Sequence, residues 1–358
     1  MSKVLMKGNE AFAEAAIRAG CKCYFGYPIT PQNEIPEYMS HELPKAGGAF
    51  LQAESELAAV NMAFGAAASG GRVFISTSSP GLALMQEGLG FICSAEVPLV
   101  ALNVSRGGPG VGGIQPGQAD YIQVTRGGYN GDAKIPVFAP AGIQECVDLI
   151  YECFDIADEY RNPVMILADG MMGQMMEPVE LPPHKGITPV EKINEGKPWA
   201  ITGTDSHEGR NVVYSLRMQP EVLEQHVEDL FKKYEKAEKE LVRYKTLNLE
   251  DAEIVFVAFG TMSRLCAEAV ELLEEKGVKA GLIRPVSLWP FPDKAFDELG
   301  SKTKIVISTE LSMGQMIQDV KAAVKGRYPV GLINRTGGIV PSSLEIVDRA
   351  LKLLEEVK

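Results

Sequence analysis

Long apolar runs, basic clusters and metal-binding motifs are all scarce in this 358-residue chain. No stretch approaches the roughly 18 uninterrupted apolar residues of a membrane-spanning helix, and the opening residues, MSKVLMKGNEAFAEAA, lack the long apolar centre of a secretion signal. We therefore expect a soluble, cytoplasmic protein with no membrane partner. The 35 basic and 47 acidic side chains give a net charge of −12, which argues against binding to nucleic acid.

Cysteine and histidine are too few and too scattered to predict a metal centre. There is no C-x2-C pair and no iron–sulfur run among the six cysteines, which fall inside apolar segments at positions 21, 23, 93, 146, 153 and 266. The four histidines have no ligand-like spacing and stand at positions 41, 184, 207 and 226. We predict that the cysteines are small buried apolar residues and that this chain alone holds no metal.

Apolar segments alternate with helical patterns through the first half of the chain. This alternation predicts an α/β fold in which helices cover both faces of a parallel sheet. The predicted strands are 22–27, 49–53, 72–77, 97–104, 135–139 and 163–168. The predicted helices are 9–19, 55–69, 81–94 and 142–160.

The chain divides into three predicted units: a first α/β domain over 1–180, a connector over 181–250 and a smaller α/β domain over 251–358. The connector is rich in proline and charge and ends in a predicted amphipathic helix at 220–246, which is typical either of a solvated connector or of a partner-binding helix. About four strands are expected in the last domain. Its predicted helices are 262–276, 292–299, 313–325 and 342–356.

Ligands of an open parallel sheet bind beyond the carboxyl ends of its strands. The first such loop reads GYPITPQNE, in which Pro28 and Pro31 restrict the backbone on either side of Thr30. Two interpretations remain open for this loop. The Thr30 hydroxyl is held in place for a ligand, or the loop is a rigid turn in which Thr30 caps the next helix.

A second loop, SRGGPGVGGIQPGQAD, is rich in glycine and begins with Arg106. Its G-x-G-x-x-G spacing does not indicate a dinucleotide site, because Pro116 and Gly117 interrupt the helix that such a site needs. Arg106 follows the predicted end of a strand, and a guanidinium at that place is suited to bind a carboxylate through two parallel hydrogen bonds. The alternative is an ordinary surface arginine at the root of a mobile loop.

Two carboxylates, Glu54 and Glu56, stand before a helix of small apolar residues. Residues two apart lie about 200° apart on a helix, so these two side chains face different environments. Below Glu56 the helix presents a stripe formed by Ala59, Val60, Ala63 and Ala67. Glu56 is either a first-turn acid that complements the helix dipole or an acid at an apolar wall, whose raised pKa lets it hold or share a proton.

Three segments together resemble the 2-oxoacid:ferredoxin oxidoreductases, which are thiamine-diphosphate enzymes of anaerobic metabolism. They are GYPITP at 26–31, the E-S-E start of the helix with STSSPG at 76–81, and SRGGPG at 105–110. The resemblance implies a thiamine-diphosphate pyrimidine-binding parallel-sheet domain followed by a smaller transketolase-C-terminal-like α/β domain. Two further segments, GGIQPGQADYIQ and NPVMILADGMMGQMMEPVE, resemble the branched-chain type that acts on 2-oxoisovalerate.

The same resemblance implies roles for individual residues. Glu56 matches the glutamate that bonds N1′ of the cofactor's aminopyrimidine and acts by general acid–base catalysis through the cofactor. Thr30 matches the threonine that contacts the substrate, and Arg106 matches the arginine that binds the substrate's carboxylate. The residues placed against or near the pyrimidine are Pro28, Ile29, Ser79 and Gly81.

The family's other thiamine-binding half uses a G-D-G motif followed by an Asn to hold Mg²⁺ and the diphosphate, and this sequence has no such motif, since its ADGMMGQ lacks the first Gly and the Asn. The resemblance therefore implies a β-type partner subunit that shares the thiamine diphosphate and carries Mg²⁺. Gamma or ferredoxin-type subunits with [4Fe–4S] clusters, CoA as co-substrate and an external ferredoxin are also implied. Alternatives are the same reaction on 2-oxoglutarate or pyruvate, or a scaffold or nucleotide-binding regulatory subunit without catalysis.

Overall fold

The computed structural model describes residues 3–203 and 210–357. One of the four histidines considered above, His207, and positions 204–209 of the predicted connector lie outside the described residues.

Strands and helices alternate along most of the described chain. The strands are β1 Val4–Lys7, β2 Cys23–Gly26, β3 Ala49–Gln52, β4 Val73–Thr77, β5 Leu99–Ser105, β6 Val137–Phe138, β7 Pro163–Asp169, β8 Met176–Val179, β9 Tyr244–Leu247, β10 Ile254–Val257, β11 Ala280–Pro285, β12 Ser287–Trp289, β13 Ile305–Glu310 and β14 Val330–Asn334. The α-helices are α1 Gly8–Arg18, α2 Glu34–Lys45, α3 Glu56–Ala68, α4 Ser79–Ser94, α5 Ile143–Tyr160, α6 Gly170–Gln174, α7 Ile193–Gly196, α8 Pro220–Glu240, α9 Gly260–Glu275, α10 Ile317–Val324 and α11 Ser343–Glu356. Short 3-10 helices span Val190–Lys192 and Asp293–Glu298, and a π-helix spans Gln123–Gly127.

The larger sheet has seven strands in the order β12–β6–β7–β5–β4–β2–β3. Strands β2 to β7 run parallel, and β12 pairs antiparallel at one edge. This confirms the predicted parallel α/β sheet and its six strands. The sequence pattern does not predict α2, because Pro36 and Pro44 argue against a helix; they lie in its first and last turns, where prolines are tolerated better than in the middle.

The smaller sheet has the order β14–β13–β10–β11–β9. Its four parallel strands are the expected ones, and β9 adds a fifth, antiparallel strand. The predicted helix at 220–246 is therefore wrong beyond Glu240, where α8 ends. Residues Tyr244–Leu247 instead pair with the free edge of β11, and aromatic and β-branched side chains in this segment favour that pairing.

Two helix predictions in the last domain also need correction. The segment predicted at 292–299 is a 3-10 helix of six residues, Asp293–Glu298, and helices this short are often of the 3-10 type. The helix predicted at 313–325 begins at Ile317, because the buried Glu310 carboxylate binds the backbone N–H groups of Gln315 and Met316 at 2.7 and 3.0 Å and holds the preceding residues in a loop.

The two sheets are joined by contacts between residues far apart in sequence. Strand β12 leaves the second half of the chain to pair with β6 of the larger sheet. Arg284 of β11 donates two hydrogen bonds of 2.7 Å to the Glu145 carboxylate on α5. Gln118 donates to the carbonyl of Phe259 at 2.9 Å and accepts from the N–H of Leu311 at 3.1 Å. The second half of the chain therefore contacts β6, α5 and the loop that follows β5.

Cysteines contribute to the apolar core. Five of the six are buried, which confirms their prediction as buried apolar residues, and Cys23 is half-buried. Within residues 3–203 and 210–357, no three His, Cys, Asp or Glu side chains are close enough to bind one metal ion. The same described residues contain no helix with the length and apolar character needed to cross a membrane.

Candidate active site

The carboxyl ends of the central strands bring the predicted site residues to one edge of the larger sheet. Strands β2, β4 and β5 end at Gly26, Thr77 and Ser105, and the segments directly after them carry Thr30, Ser79 at the start of α4, and Arg106. Glu56 begins α3, which follows the adjacent β3. The fold thus gathers residues that are up to 76 positions apart in sequence.

Buried hydrogen bonds fix the loop that contains Thr30. The Tyr24 and Ser76 hydroxyls are 2.8 Å apart, and the Ser76 hydroxyl donates to the Gln32 side-chain oxygen at 2.6 Å. Both Tyr24 and Gln32 are fully buried. Because these buried polar groups are hydrogen-bonded to each other, the fold avoids the free-energy cost of an unpaired buried polar group. The loop is therefore rigid, as its two prolines predict.

A second set of contacts holds the carbonyl of Pro31. It accepts hydrogen bonds from the side-chain amides of Asn9 at 2.8 Å and Gln174 at 2.9 Å. The capping residue of α2 is Asn33, so the interpretation of Thr30 as the helix cap is wrong. The Thr30 hydroxyl accepts one hydrogen bond of 3.2 Å from Asn33, while Pro28 is exposed and Ile29 is half-buried.

Arg106 is buried, with 8% of its surface exposed, so the alternative of an ordinary surface arginine is wrong. Its Nη1 donates to the Thr30 carbonyl at 2.7 Å, and its Nη2 donates to the Val111 carbonyl at 2.8 Å. Its Nε–H is buried and has no partner among the described residues. The guanidinium therefore joins the two loops that the sequence singled out and still has a free donor.

Asp120 is a buried acid that the sequence reasoning did not select. Its Oδ2 accepts hydrogen bonds from Ser79 at 2.6 Å, Asn103 at 2.8 Å and Ser105 at 2.8 Å. The Ser79 hydroxyl also accepts a hydrogen bond of 3.0 Å from the Arg106 backbone N–H. No signal in the sequence separates Asp120 from the other acids, because its burial depends on donors from β5 and α4 that only the fold brings together.

Glu56 is buried, with 4% of its surface exposed, whereas Glu54 is exposed. This confirms that the two acids have different environments. Ser55 begins the helix by accepting a hydrogen bond of 3.2 Å from the Ala58 N–H. The stripe of Ala59, Val60, Ala63 and Ala67 is buried as predicted.

The Glu56 carboxylate lies directly against Gly81, in the first turn of α4. A Cβ atom built on Gly81 would come within 2.3 Å of Glu56 Oε1 and 2.1 Å of Thr77 Oγ1. Among the described residues, none forms a hydrogen bond with this carboxylate. A buried acid without an internal partner is the feature expected of a group that binds a ligand.

Asp169 ends β7 on the far side of β5 and is also buried. Burial raises the pKa of its carboxyl above the usual value, against the opposing effect of hydrogen bonds from Thr261 and from backbone N–H groups. Two of these donors are the N–H groups of Met171 and Met172, at 3.0 and 3.1 Å. Asp169 therefore serves as the cap of α6 in this structure.

A cavity of about 560 Å³ opens beside Thr30. Most of its wall is apolar, and among residues 3–203 and 210–357 Glu34 is the one ionisable residue that lines it. Burial, which by itself raises the Glu34 pKa, is outweighed by hydrogen bonds from Lys7, Asn9 and Gln174, so the pKa is lowered. The residues that line the cavity are Thr30, Pro31, Asn33, Glu34, Ile114, Gln115, Pro116, Gly170, Met171, Gln174 and Met175.

Comparisons with known proteins show the family to which the chain belongs. The family model described as pyruvate flavodoxin/ferredoxin oxidoreductase, thiamine diphosphate-binding, matches residues 14–246, and pyruvate:ferredoxin oxidoreductase core domain II matches residues 252–346. The ketoisovalerate oxidoreductase subunit VorB of Methanothermobacter marburgensis is 44% identical and aligns over 99% of this chain and 98% of its own.

Two further proteins are similar over nearly the whole chain. The 2-oxoglutarate synthase subunit KorA of Methanocaldococcus jannaschii is 37% identical over 96% of this chain and 99% of its own. The structure of 2-oxoglutarate:ferredoxin oxidoreductase from Magnetococcus marinus with 2-oxoglutarate, coenzyme A and succinyl-CoA bound has a TM-score of 0.87 and 25% identity. That match covers 99% of this chain and 65% of the other. On these grounds the chain belongs to the 2-oxoacid:ferredoxin oxidoreductase family, as its motifs predicted.

Proposed function

We propose that this chain is the pyrimidine-binding, α-type subunit of a hetero-oligomeric enzyme that oxidatively decarboxylates a branched-chain 2-oxoacid. The reaction joins the acyl group to CoA, releases CO₂ and passes two electrons to ferredoxin. The observation that carries this proposal is the buried Glu56 carboxylate, which lies at the carboxyl-end edge of the sheet and has no hydrogen-bond partner among the described residues.

The chemistry that thiamine diphosphate supplies when bound is a nucleophilic carbon for the carbonyl of the 2-oxoacid. Glu56 holds or exchanges a proton at a ring nitrogen of the aminopyrimidine, which is general acid–base catalysis. Its unpartnered carboxylate fits that task, and Gly81 leaves room beside it. Pro28, Ile29 and Ser79 complete the wall around the pyrimidine. The Ser79 backbone and Cβ form part of this wall, because its hydroxyl is already hydrogen-bonded to Asp120.

Arg106 and Thr30 hold the substrate. The free Nε–H of Arg106 points to a carboxylate ligand, because a buried guanidinium donor is most stable when it is paired with an anion. Thr30 lies beside it, since the Arg106 Nη1 donates to the Thr30 carbonyl. Together the two residues orient the 2-oxoacid with its carboxylate at Arg106.

The cavity beside Thr30 supports a branched apolar substrate over 2-oxoglutarate. Among the described residues no Lys, Arg or His lines it, and the Glu34 carboxylate is already paired with Lys7, so the wall offers no partner for a second carboxylate on the substrate. Burying an unpaired charge is costly, so we expect kcat/KM for a branched 2-oxoacid to exceed that for 2-oxoglutarate by on the order of 10². Equal values in a panel of 2-oxoacids, with pyruvate included, would contradict this assignment.

A partner subunit completes the site. The names of the relatives describe subunits, and this sequence lacks the G-D-G motif for the diphosphate, so a β-type subunit with Mg²⁺ supplies that half. Exposed apolar side chains on the loop after β2 and on β3, α3 and α4 suit an interface with the β-type subunit. They are Tyr27, Leu51, Leu57 and Leu84. Gamma or ferredoxin-type subunits carry the [4Fe–4S] clusters, and an external ferredoxin accepts the electrons.

The proposal also includes the division of the chain and its compartment. A pyrimidine-binding domain over 1–180, a connector over 181–250 and a transketolase-C-terminal-like domain over 251–358 agree in outline with the two family matches, which part between 246 and 252. The six free cysteines are consistent with the reducing cytoplasm.

The test is Glu56→Gln in the complex purified with its natural partners. Glutamine keeps the volume and a hydrogen bond but cannot exchange the proton, so kcat should fall by on the order of 10² to 10⁴ while cofactor affinity stays near wild type. Hydrogen–deuterium exchange at C2 of the bound cofactor should slow in parallel.

Glu54→Gln is the matched control, because Glu54 is exposed and should leave both measurements unchanged. Wild-type exchange in the Glu56 variant, or slow exchange in the Glu54 variant alone, would show that the wrong carboxylate was chosen. A complex whose activity needs neither thiamine diphosphate nor Glu56 would indicate a scaffold or regulatory subunit.

A further inference from the structure

We infer that Asp120 is a positioning residue for Arg106. It fixes the place of that arginine, and therefore the affinity for the substrate's carboxylate, without touching the substrate itself. This inference rests on the proposed function, because it concerns the carboxylate-binding role of Arg106. It goes further by assigning a task to a residue that the family motifs quoted above do not explain.

The first observation is the concentration of donors on one carboxylate oxygen. Asp120 Oδ2 accepts hydrogen bonds of 2.6–2.8 Å from Ser79, Asn103 and Ser105. Only 7% of the Asp120 surface is exposed. An ionised carboxylate is a pure acceptor and forms stronger hydrogen bonds than a neutral group. Through these hydrogen bonds Asp120 connects the first residue of α4 to the last three residues of β5.

The second observation is the path from Asp120 to Arg106. The Ser79 hydroxyl donates its proton to Asp120 and uses a lone pair to accept from the Arg106 N–H at 3.0 Å. Asp120 thus determines the direction of the Ser79 hydroxyl, and the hydroxyl anchors the Arg106 backbone. The Arg106 guanidinium then reaches the Thr30 carbonyl. The two residues proposed to hold the substrate stand at the end of this chain of hydrogen bonds.

The third observation is that this series of hydrogen bonds does not include Glu56. No described residue forms a hydrogen bond with the Glu56 carboxylate, which lies against Gly81. Loss of Asp120 should therefore impair substrate binding while the proton exchange that Glu56 serves continues. A general loss of structure would impair both.

The experiment compares Asp120→Asn with Ser105→Ala in the complete complex. Asparagine retains the shape and an acceptor but loses the charge. We expect the KM for the 2-oxoacid to rise on the order of tenfold, with kcat and C2 hydrogen–deuterium exchange measured without substrate within about twofold of wild type. Ser105→Ala removes one donor from Asp120 but leaves the link through Ser79, so its KM should stay within about twofold.

A third variant, Ser79→Ala, cuts the link while Asp120 remains, and it should raise KM as Asp120→Asn does; only its KM is compared, because Ser79 also belongs to the proposed wall around the pyrimidine. It also decides the question if the Asp120 variant does not assemble. Unchanged KM in both Asp120→Asn and Ser79→Ala, or C2 exchange that falls together with kcat in Asp120→Asn, overturns the role of Asp120. If the wild-type complex reduces ferredoxin with no 2-oxoacid, the proposed function fails first and this role fails with it.

Discussion

The contact between Gly81 and Glu56 gives a prediction that requires no change to the catalytic carboxylate. In Gly81→Ala the new Cβ would stand 2.3 Å from Glu56 Oε1, about 1 Å short of an ordinary contact of 3.4 Å. It would also stand 2.1 Å from Thr77 Oγ1. Because the backbone of α4 is held in the packed core and cannot move away easily, we expect the Glu56 side chain to move by about 1 Å.

A displacement of that size is large for an acid that must meet one ring nitrogen. Misplacement of a reacting group by about 1 Å can lower the rate on the order of 10², and overpacking typically destabilises by about 1–3 kcal/mol. We therefore expect Gly81→Ala to slow C2 exchange of the bound cofactor on the order of 10² and to lower the melting temperature. Both are measured on the complex assembled with its partner subunits.

The matched control is Gly65→Ala on the neighbouring helix α3. A Cβ on Gly65 meets no atom within 4 Å, so alanine should raise helix stability by up to about 1 kcal/mol and leave the exchange rate unchanged. The reasoning is refuted if the folded Gly81 variant exchanges at the wild-type rate. It is also refuted if the two glycine variants shift the melting temperature upward alike.

Three other predictions concern binding, pH and thiol chemistry. Arg106→Lys should raise the KM for the 2-oxoacid on the order of tenfold, since lysine lacks the planar fork; an unchanged KM in a folded complex would remove Arg106 from the site. Burial alone would raise the Glu145 pKa, but hydrogen bonds from Arg284 and the Ala141 N–H and the charge of Arg284 lower it to about 2. The pair should therefore stabilise the fold above pH 4.5, and that stability should be lost as the pH falls towards 2. Glu145→Gln should lower the free energy of unfolding on the order of 1–2 kcal/mol at pH 7 after solvent screening, with a difference from wild type that shrinks below pH 4.5; a difference independent of pH would contradict this. A thiol reagent should label at most Cys23 in the folded protein and six thiols after denaturation, because burial raises the pKa of the others, that of Cys93 to about 12; rapid labelling of several thiols would refute this burial.

Local patterns were enough to predict the parallel sheet and the different environments of two neighbouring carboxylates, whereas the choice of Glu56 as the catalytic acid came from motif resemblance and remains a prediction. The six strands of the first half are short apolar runs bounded by turn residues, a signal that depends only on near neighbours. Glu54 and Glu56 were separated by helix geometry alone, and the buried stripe below Glu56 followed from the same spacing. The roles of Thr30 and Arg106 came from motif resemblance and remain predictions.

Tertiary structure decided what depends on partners distant in sequence. No local signal shows that Arg106 is buried, because its bonds run to Thr30, 76 residues away. The end of α8 and the strand β9 depend on the free edge of β11, which the local helical pattern of 220–246 does not report. Asp120 looked like one acid among 47 Asp and Glu residues until the fold placed three donors around one of its oxygens. Periodicity is set by the nearest few residues, whereas burial of a charge and the pairing of a sheet edge are set by whatever the folded chain brings beside them.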